Sequence, residues 1–113
     1  MIADRGEYQG KRYLSKKTVE FMLQDHLVGM GGSTAGGTGP GYGFGLGFAV
    51  RLHDGFGWSA GSKGDAMWAG LFGTFFTIDP KEELVAILLT TGATPRVQSR
   101  HLFKNLVYGA VVE

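Results

Sequence analysis

Between Tyr42 and Val50 the chain reads YGFGLGFAV, with Phe44, Leu46, Phe48 and Val50 alternating against Gly43, Gly45, Gly47 and Ala49. Period two is the repeat of an extended strand, whose side chains point in turn to its two faces. One face here carries the bulk and the other is bare, so another backbone or a helix can approach the bare side closely. Glycine is abundant throughout: 20 of 113 residues, roughly 18% against an ordinary ~7%. Because 43% of the chain is still hydrophobic, these glycines belong to a globular chain with glycine-lined strands. They do not make it a low-complexity segment.

Around that strand the periodicity changes. Val19, Met22, Leu23 and Leu27 recur at three- and four-residue intervals behind Ser15, a good N-cap, and ahead of Gly29, which predicts a helix over Leu14–Gly29. Residues 29–41, GMGGSTAGGTGPG, have almost nothing to pack and read as a flexible glycine-rich loop. GFGWS reads as a short strand after a turn at His53-Asp54-Gly55. Met67–Ile78 and Leu84–Thr91 read as two more strands, joined by the hairpin-like DPKEE. Pro95, after the cap candidate Thr94, opens an amphipathic helix with Leu102, Phe103, Leu106, Val107, Ala110 and Val111 on one side. Strands grouped between two helices predict an α+β fold, an antiparallel sheet of three to five strands with both helices on one face. At 113 residues one core and a single domain, 1–113, are expected.

Several function classes drop out. A net charge of +1, from 11 basic and 10 acidic residues mixed along the chain, gives no footprint for nucleic acid or an anionic membrane. The absence of cysteine removes disulfides, thiolate zinc sites and a cysteine nucleophile. The N-terminus lacks the apolar core of a signal peptide and no apolar run has the length of a membrane span, so a soluble chain is expected, cytoplasmic by default, with its localisation left open. His26, His53 and His101 have no metal-site spacing, and no metal or cofactor is expected. A Ser59 or Ser62, His53, Asp54 triad lacks orienting geometry, because His53 and Asp54 are adjacent and no G-x-S-x-G elbow is present. Gly41 to Gly47 misses the dinucleotide register, and Gly55–Ala60 is followed by no helical pattern.

The remaining signal is GSKGDAMWAGLFGTFFTIDPKEELVAILLTTG, Gly61 to Gly92, preceded by GYGFGLGFAV and GEYQGKRYLSKKTVEFMLQDHL and followed by the terminal helix. Together these resemble the C-terminal part of the serine β-lactamase-like family, which includes class C β-lactamases, family VIII carboxylesterases and D-aminopeptidases. The most specific piece is Trp-x-Gly, then Gly-Thr and an Ile-Asp-Pro turn. The resemblance implies that Trp68-Ala69-Gly70 stands where the family carries Lys-Thr-Gly. Leu71 would then offer its backbone N–H to the oxyanion hole, Gly70 would give clearance, and Trp68 and Ala69 would line the substrate pocket. Such a donor is worth roughly 3 kcal/mol. Trp68 in place of lysine leans toward ester chemistry, since a lactamase uses that cation near the substrate carboxylate.

The family's other motifs are missing. No serine has lysine three residues on: Ser15, Ser33, Ser59, Ser62 and Ser99 are followed there by Thr18, Gly36, Ser62, Asp65 and Leu102. Tyr13-Leu14-Ser15 fits Tyr-x-Ser only formally, because it opens a helix that in this family follows the true motif. Thr90-Thr91-Gly92 mimics Lys-Thr-Gly without its lysine. The expectation is therefore a C-terminal fragment of a larger hydrolase, inactive alone, that meets a small ester or amide substrate only with its N-terminal part. The alternative is a non-catalytic module that self-associates through an exposed apolar face or binds a small ligand.

Overall fold

The computed structural model describes residues 1–28, 38–92 and 95–112. Its first element is a small hairpin of β1 (Glu7–Tyr8) and β2 (Lys11–Arg12). Gln9 and Gly10 turn it with φ of 49° and 74°, positive at both central positions as the twist of a two-residue hairpin demands. This hairpin has no counterpart in the sequence pattern, because two-residue strands are too short to show a period.

Helix α1 spans Lys16–Met22, and the Ser15 hydroxyl accepts the Thr18 N–H at 3.0 Å, as expected of an N-cap. It ends seven residues before the predicted Gly29. Asp25 is the cause: its carboxylate accepts the N–H groups of Leu27 and Phe44, both at 3.0 Å, and the His26 N–H donates to the Phe44 carbonyl at 2.8 Å. A side-chain acceptor that captures backbone donors competes directly with helix continuation. Of the glycine-rich loop, residues 29–37 lie outside the described residues. Its end is packed, with Thr38 only 4% exposed.

Five strands follow as an antiparallel meander in the order β3-β4-β5-β6-β7: Tyr42–Phe44, Ala49–Arg51, Ala66–Ala69, Phe75–Asp79 and Leu84–Leu88. Helix α2, Arg96–Gly109, closes the chain; Thr94, the cap candidate, lies outside the described residues. Two predicted strands are in fact hairpins. The alternation of 42–52 runs through a turn at Gly45–Phe48, where Gly47 takes φ 90°, and Met67–Ile78 folds back at Gly70–Thr74. Glycines at turn positions preserve the period while reversing the chain, so alternation alone does not separate a strand from a tight hairpin. GFGWS is not a strand either. Its loop wraps the Arg51 guanidinium, which donates to the carbonyls of Phe56, Ser59 and Ala60 at 3.3, 2.7 and 3.2 Å.

The register separates the two faces of the sheet. Tyr42, Ala49, Arg51, Met67, Phe75, Thr77 and Asp79 share one face, and Gly43, Val50, Ala66 and Ile78 the other. Helix α2 lies on the first, with Phe103 edge-on to Phe75 at 6.3 Å. The segment after α1 lies on the second, where a Cβ on Gly43 would meet the Asp25 carboxylate and one on Gly45 the Met22 carbonyl. The bare strand face thus receives backbone and a short polar side chain, and the helical segments pack on opposite faces where one face was expected.

The stripe by which α2 docks also departs from expectation. Leu102 and Leu106 are 61% and 65% exposed, while Lys104 is 1% exposed. Lys104 Nζ donates to Asp65 Oδ2 at 2.7 Å and to the Tyr42 hydroxyl at 2.8 Å. The same Asp65, fully buried, accepts Arg51 Nε at 2.9 Å and the Tyr42 hydroxyl at 3.2 Å. Burial, opposed by Asp65, pulls the Lys104 pKa down, and burial followed by Asp65 pushes the Tyr42 hydroxyl far up, so it stays a donor. One turn further along α2, Tyr108 donates to Asp79 at 2.6 Å.

Two measurements test this account of the packing. Lys104→Ala takes one of two cations from the buried Asp65, leaving Arg51 and the Tyr42 hydroxyl on it, and is expected to cost about 1.5–3 kcal/mol in urea unfolding, whereas Leu102→Ala stays within about 0.5 kcal/mol; equal losses would mean that α2 docks through its leucines. Asp79 is the second. Burial raises its pKa, but hydrogen bonds from Tyr108 and from the N–H groups of Ser62, Glu82 and Lys81 outweigh that and hold it below the ordinary 3.8. Below 3.8 the unfolded chain binds a proton that the folded chain resists, so this contribution is present above that value and is lost as pH falls toward the folded value. The urea midpoint of Asp79→Asn should accordingly fall less steeply between about pH 5 and 3 than that of the unmodified chain.

Candidate active site

Strand β5 outruns its neighbour. Ala66 and Met67 pair with Val50 and Ala49 of β4, but Trp68 and Ala69 pair only with Phe76 and Phe75 of β6. Beyond them Gly70–Gly73 forms the β5–β6 turn, closed by the Gly73 N–H on the Gly70 carbonyl at 3.2 Å and the Gly70 N–H on the Thr74 carbonyl at 2.8 Å. Gly73 takes φ 103°, a conformation open to glycine at little cost. At Gly70 a Cβ would run into the Thr74 hydroxyl.

Three consecutive carbonyls of this turn are held from outside it. Arg100 Nη2 donates to the Gly70 carbonyl, Arg96 Nη1 to the Leu71 carbonyl at 2.7 Å, and the Gly92 N–H to the Phe72 carbonyl at 2.9 Å. The last contact places the Thr90-Thr91-Gly92 stretch as a support under the turn. Among the described residues the Leu71 N–H has no hydrogen-bond partner, and the Leu71 side chain is 67% exposed. Burial first, then the neighbouring Arg96, lowers the Arg100 pKa, although an arginine starts high enough to stay charged.

Trp68 is half-exposed and stands edge-on to Phe44 at 5.1 Å. Together with Ala69 it lines two cavities. One, of about 140 Å³, reaches Phe75, Arg100 and His101; the other, of about 320 Å³, includes Gly70, Phe76, Ile87 and Leu89. Of the four residues singled out in the sequence, Trp68, Ala69 and Gly70 form a ledge along this apolar space, and the exposed Leu71 continues it into the turn without lining either cavity. No acid or base stands on the ledge itself, so what it can offer chemically is oriented backbone N–H and an apolar wall.

The other candidates are occupied elsewhere. His26 Nε2 contacts the Phe21 carbonyl at 2.8 Å, and His101 packs edge-on against Trp58. Asp54 accepts the Lys63 N–H at 2.6 Å and Ser62 meets Glu82 at 3.5 Å, so the paper triad is not assembled. Arg96 and Arg100 were not legible as site residues. A signal was present: both sit in the first turns of a helix, where the dipole disfavours cations, so their charge implies a partner beyond the helix.

No protein-family model matches the sequence, and no curated protein matches it. Solved structures do. The chain is similar to EstCE1, described as a hydrolase with promiscuous acyltransferase activity, at 30% identity and a TM-score of 0.68 over 84% of this chain and 24% of that one. It is also similar to simvastatin synthase LovD from Aspergillus terreus. The LovD6 mutant aligns at 22% identity, TM-score 0.61, over 86% of this chain and 28% of that one. The unliganded selenomethionyl protein aligns at 24% identity, TM-score 0.60, over 96% and 31%. At these identities the LovD likeness is one of fold. The chain spans between about a quarter and a third of the length of these structures.

The turn geometry makes its own prediction. At Gly73 a Cβ would meet Thr90 Oγ1 at 2.5 Å in addition to the unfavourable φ, so Gly73→Ala is expected to destabilise by about 1–3 kcal/mol. At Gly109, where a Cβ meets open space, the same change should stabilise by about 0.4–1 kcal/mol. Thermal unfolding of the two variants side by side reads the difference in sign.

Proposed function

Since the chain has the fold of part of the β-lactamase-like serine hydrolases, we propose that it is the C-terminal segment of an esterase-type member, supplying the oxyanion edge to a nucleophile carried outside these 113 residues. The observation that carries this reading is the Gly70–Gly73 turn, whose carbonyls are held while the Leu71 N–H has no partner among the described residues. When a nucleophile adds to an ester carbonyl, negative charge develops on the carbonyl oxygen, and a fixed N–H aimed at that position stabilises the transition state by roughly 3 kcal/mol. In this reading Leu71 is one donor and the nucleophile's own N–H the other. Gly70 lets the acyl group approach the strand edge, and Trp68 with Ala69 forms a wall that excludes water. Trp68 brings no cation for a substrate carboxylate, which favours a small ester over a β-lactam.

Two exposed apolar surfaces support an incomplete site. β7 is an edge strand without charge whose Val85 and Ile87 are 51% and 60% exposed, and Leu102 and Leu106 line the outer side of α2. Edges and faces of this kind are normally paired or covered. The same surfaces favour a second reading, a non-catalytic module that self-associates through them.

The purified chain is expected to turn over no p-nitrophenyl ester and to take no fluorophosphonate label. A serine labelled at one defined site would sink the claim that the nucleophile lies elsewhere. The reading frame ahead of Met1 separates the two readings: Ser-x-x-Lys encoded there supports the hydrolase segment, and a frame without it, joined to a stable dimer in sedimentation, supports the module.

A further inference from the structure

Toward the sheet, α2 presents a polar residue at every fourth position: Arg96, Arg100, Lys104 and Tyr108. Lys104 and Tyr108 hold the buried carboxylates Asp65 and Asp79. The two arginines hold backbone carbonyls, on either side of one peptide N–H. We propose that Arg100, seconded by Arg96, is a positioning residue that fixes and polarises the Gly70–Leu71 peptide through its carbonyl, so that the Leu71 N–H is held in one direction. This rests on the reading of Leu71 as an oxyanion donor and names the groups that prepare it.

The geometry of the peptide carries the argument. A trans peptide is planar, with its C=O and N–H pointing to opposite sides, so a group that fixes the Gly70 oxygen also fixes the Leu71 hydrogen. The Gly73 N–H also reaches the Gly70 carbonyl, at 3.2 Å, as a neutral donor from within the turn; from Leu71 itself there is little restraint, because its side chain is largely exposed and its N–H has no partner among the described residues. A hydrogen bond from a guanidinium is roughly twice as strong as a neutral one, and a carbonyl that accepts one strengthens its own peptide N–H as a donor by about 10–30%. Arg96 fixes the next carbonyl in the same way, so rotation of the turn about Leu71 is blocked on both sides.

Arg100 also has a feature that stability alone does not account for. Its Nε is buried without a hydrogen-bond partner among the described residues, a cost that buried polar atoms ordinarily avoid. The guanidinium lines the same cavity as Trp68 and Ala69, and its position satisfies the Gly70 carbonyl at the expense of its own Nε. Local sacrifice of a bonding group is expected where a site is being prepared.

NMR on the whole chain labelled with ¹⁵N and ¹³C tests the proposal without reading hydrolysis. In the unmodified chain the Arg100 Nη groups should rotate and exchange slowly, the Gly70 carbonyl carbon should lie downfield of ordinary glycine, and the Leu71 amide order parameter should be about 0.85. In Arg100→Gln the Gly70 carbon should move upfield and the Leu71 order parameter fall toward about 0.6, with the signals of β3 to β7 otherwise in place. Arg100→Lys, which keeps the charge and loses the fork, should restore part of the carbon shift. An unchanged Gly70 carbon and Leu71 amide in Arg100→Gln overturn the proposal. If that variant does not fold, the unmodified chain decides, since a freely rotating Arg100 or a mobile Leu71 overturns it equally. Serine labelling by fluorophosphonate, which would overturn the reading of this chain as an edge that serves a nucleophile carried elsewhere, leaves these signals untouched, so the two failures are distinguishable.

Discussion

Asp65 is the point on which the structure turns. A carboxylate with no exposure is costly in a protein interior, by several kcal/mol even after relaxation, unless charge and hydrogen bonds are returned to it. Here they come from three elements: Tyr42 on the first strand of the sheet, Arg51 opposite it on the second and Lys104 on the terminal helix. Each donor has a second obligation. Arg51 gathers the carbonyls of the 56–60 loop, and Lys104 also donates to Tyr42. One buried anion thereby sets the position of a loop, two strands and a helix, and its directional bonds allow a single arrangement where apolar packing tolerates several.

That anchoring passes along the helix to the ledge on β5. Residues four apart lie one above another on a helix face, so fixing Lys104 on Asp65 sets Arg100 and Arg96 one and two turns nearer the helix start, where they reach the carbonyls of Gly70 and Leu71. Tyr108, one turn the other way, closes on Asp79, whose carboxylate also organises the Asp79-Pro80 turn that ends β6. The helix is joined to the sheet by a polar seam, flanked by the aromatic contact of Phe103 with Phe75. Its leucines are left to face outward.

Much of the fold is legible in the sequence for reasons that can be stated residue by residue. Ser15 announces a helix because its hydroxyl satisfies an orphan N–H, and the bulk of Phe44 beside the bare Gly43 announces a strand with one side open to close approach. What fails is the reading of interruptions. Gly47 and Gly73 reverse the chain without disturbing period two, so two hairpins look like two strands. Asp25 ends α1 by a contact with Phe44, 19 residues away, which no local pattern contains. Trp68 to Leu71 is singled out by its Trp-x-Gly motif, a local property of the sequence, while its place at a strand end and turn comes from the structure. Arg96 and Arg100 are not singled out: their charge at a helix start signals a partner, but the backbone carbonyls they hold leave no mark on the sequence to name it.

The misread helix has the deepest cause. An amphipathic pattern is found by asking where the apolar residues fall, and on α2 that question selects Leu102 and Leu106, which face away from the sheet. The inward stripe, Arg96, Arg100, Lys104, Tyr108, has the same helical spacing but opposite polarity. A stripe of long cations is ordinarily a solvated face. It becomes an inward face only when the opposing surface supplies anions and free carbonyls in matching order, and this sheet does so with Leu71, Gly70, Asp65 and Asp79. Complementarity of that kind belongs to the pair of elements and to neither alone. The outward leucines follow from the same pairing: a helix whose polar side is inward has apolar surface left over, and Leu102 and Leu106 are that surface.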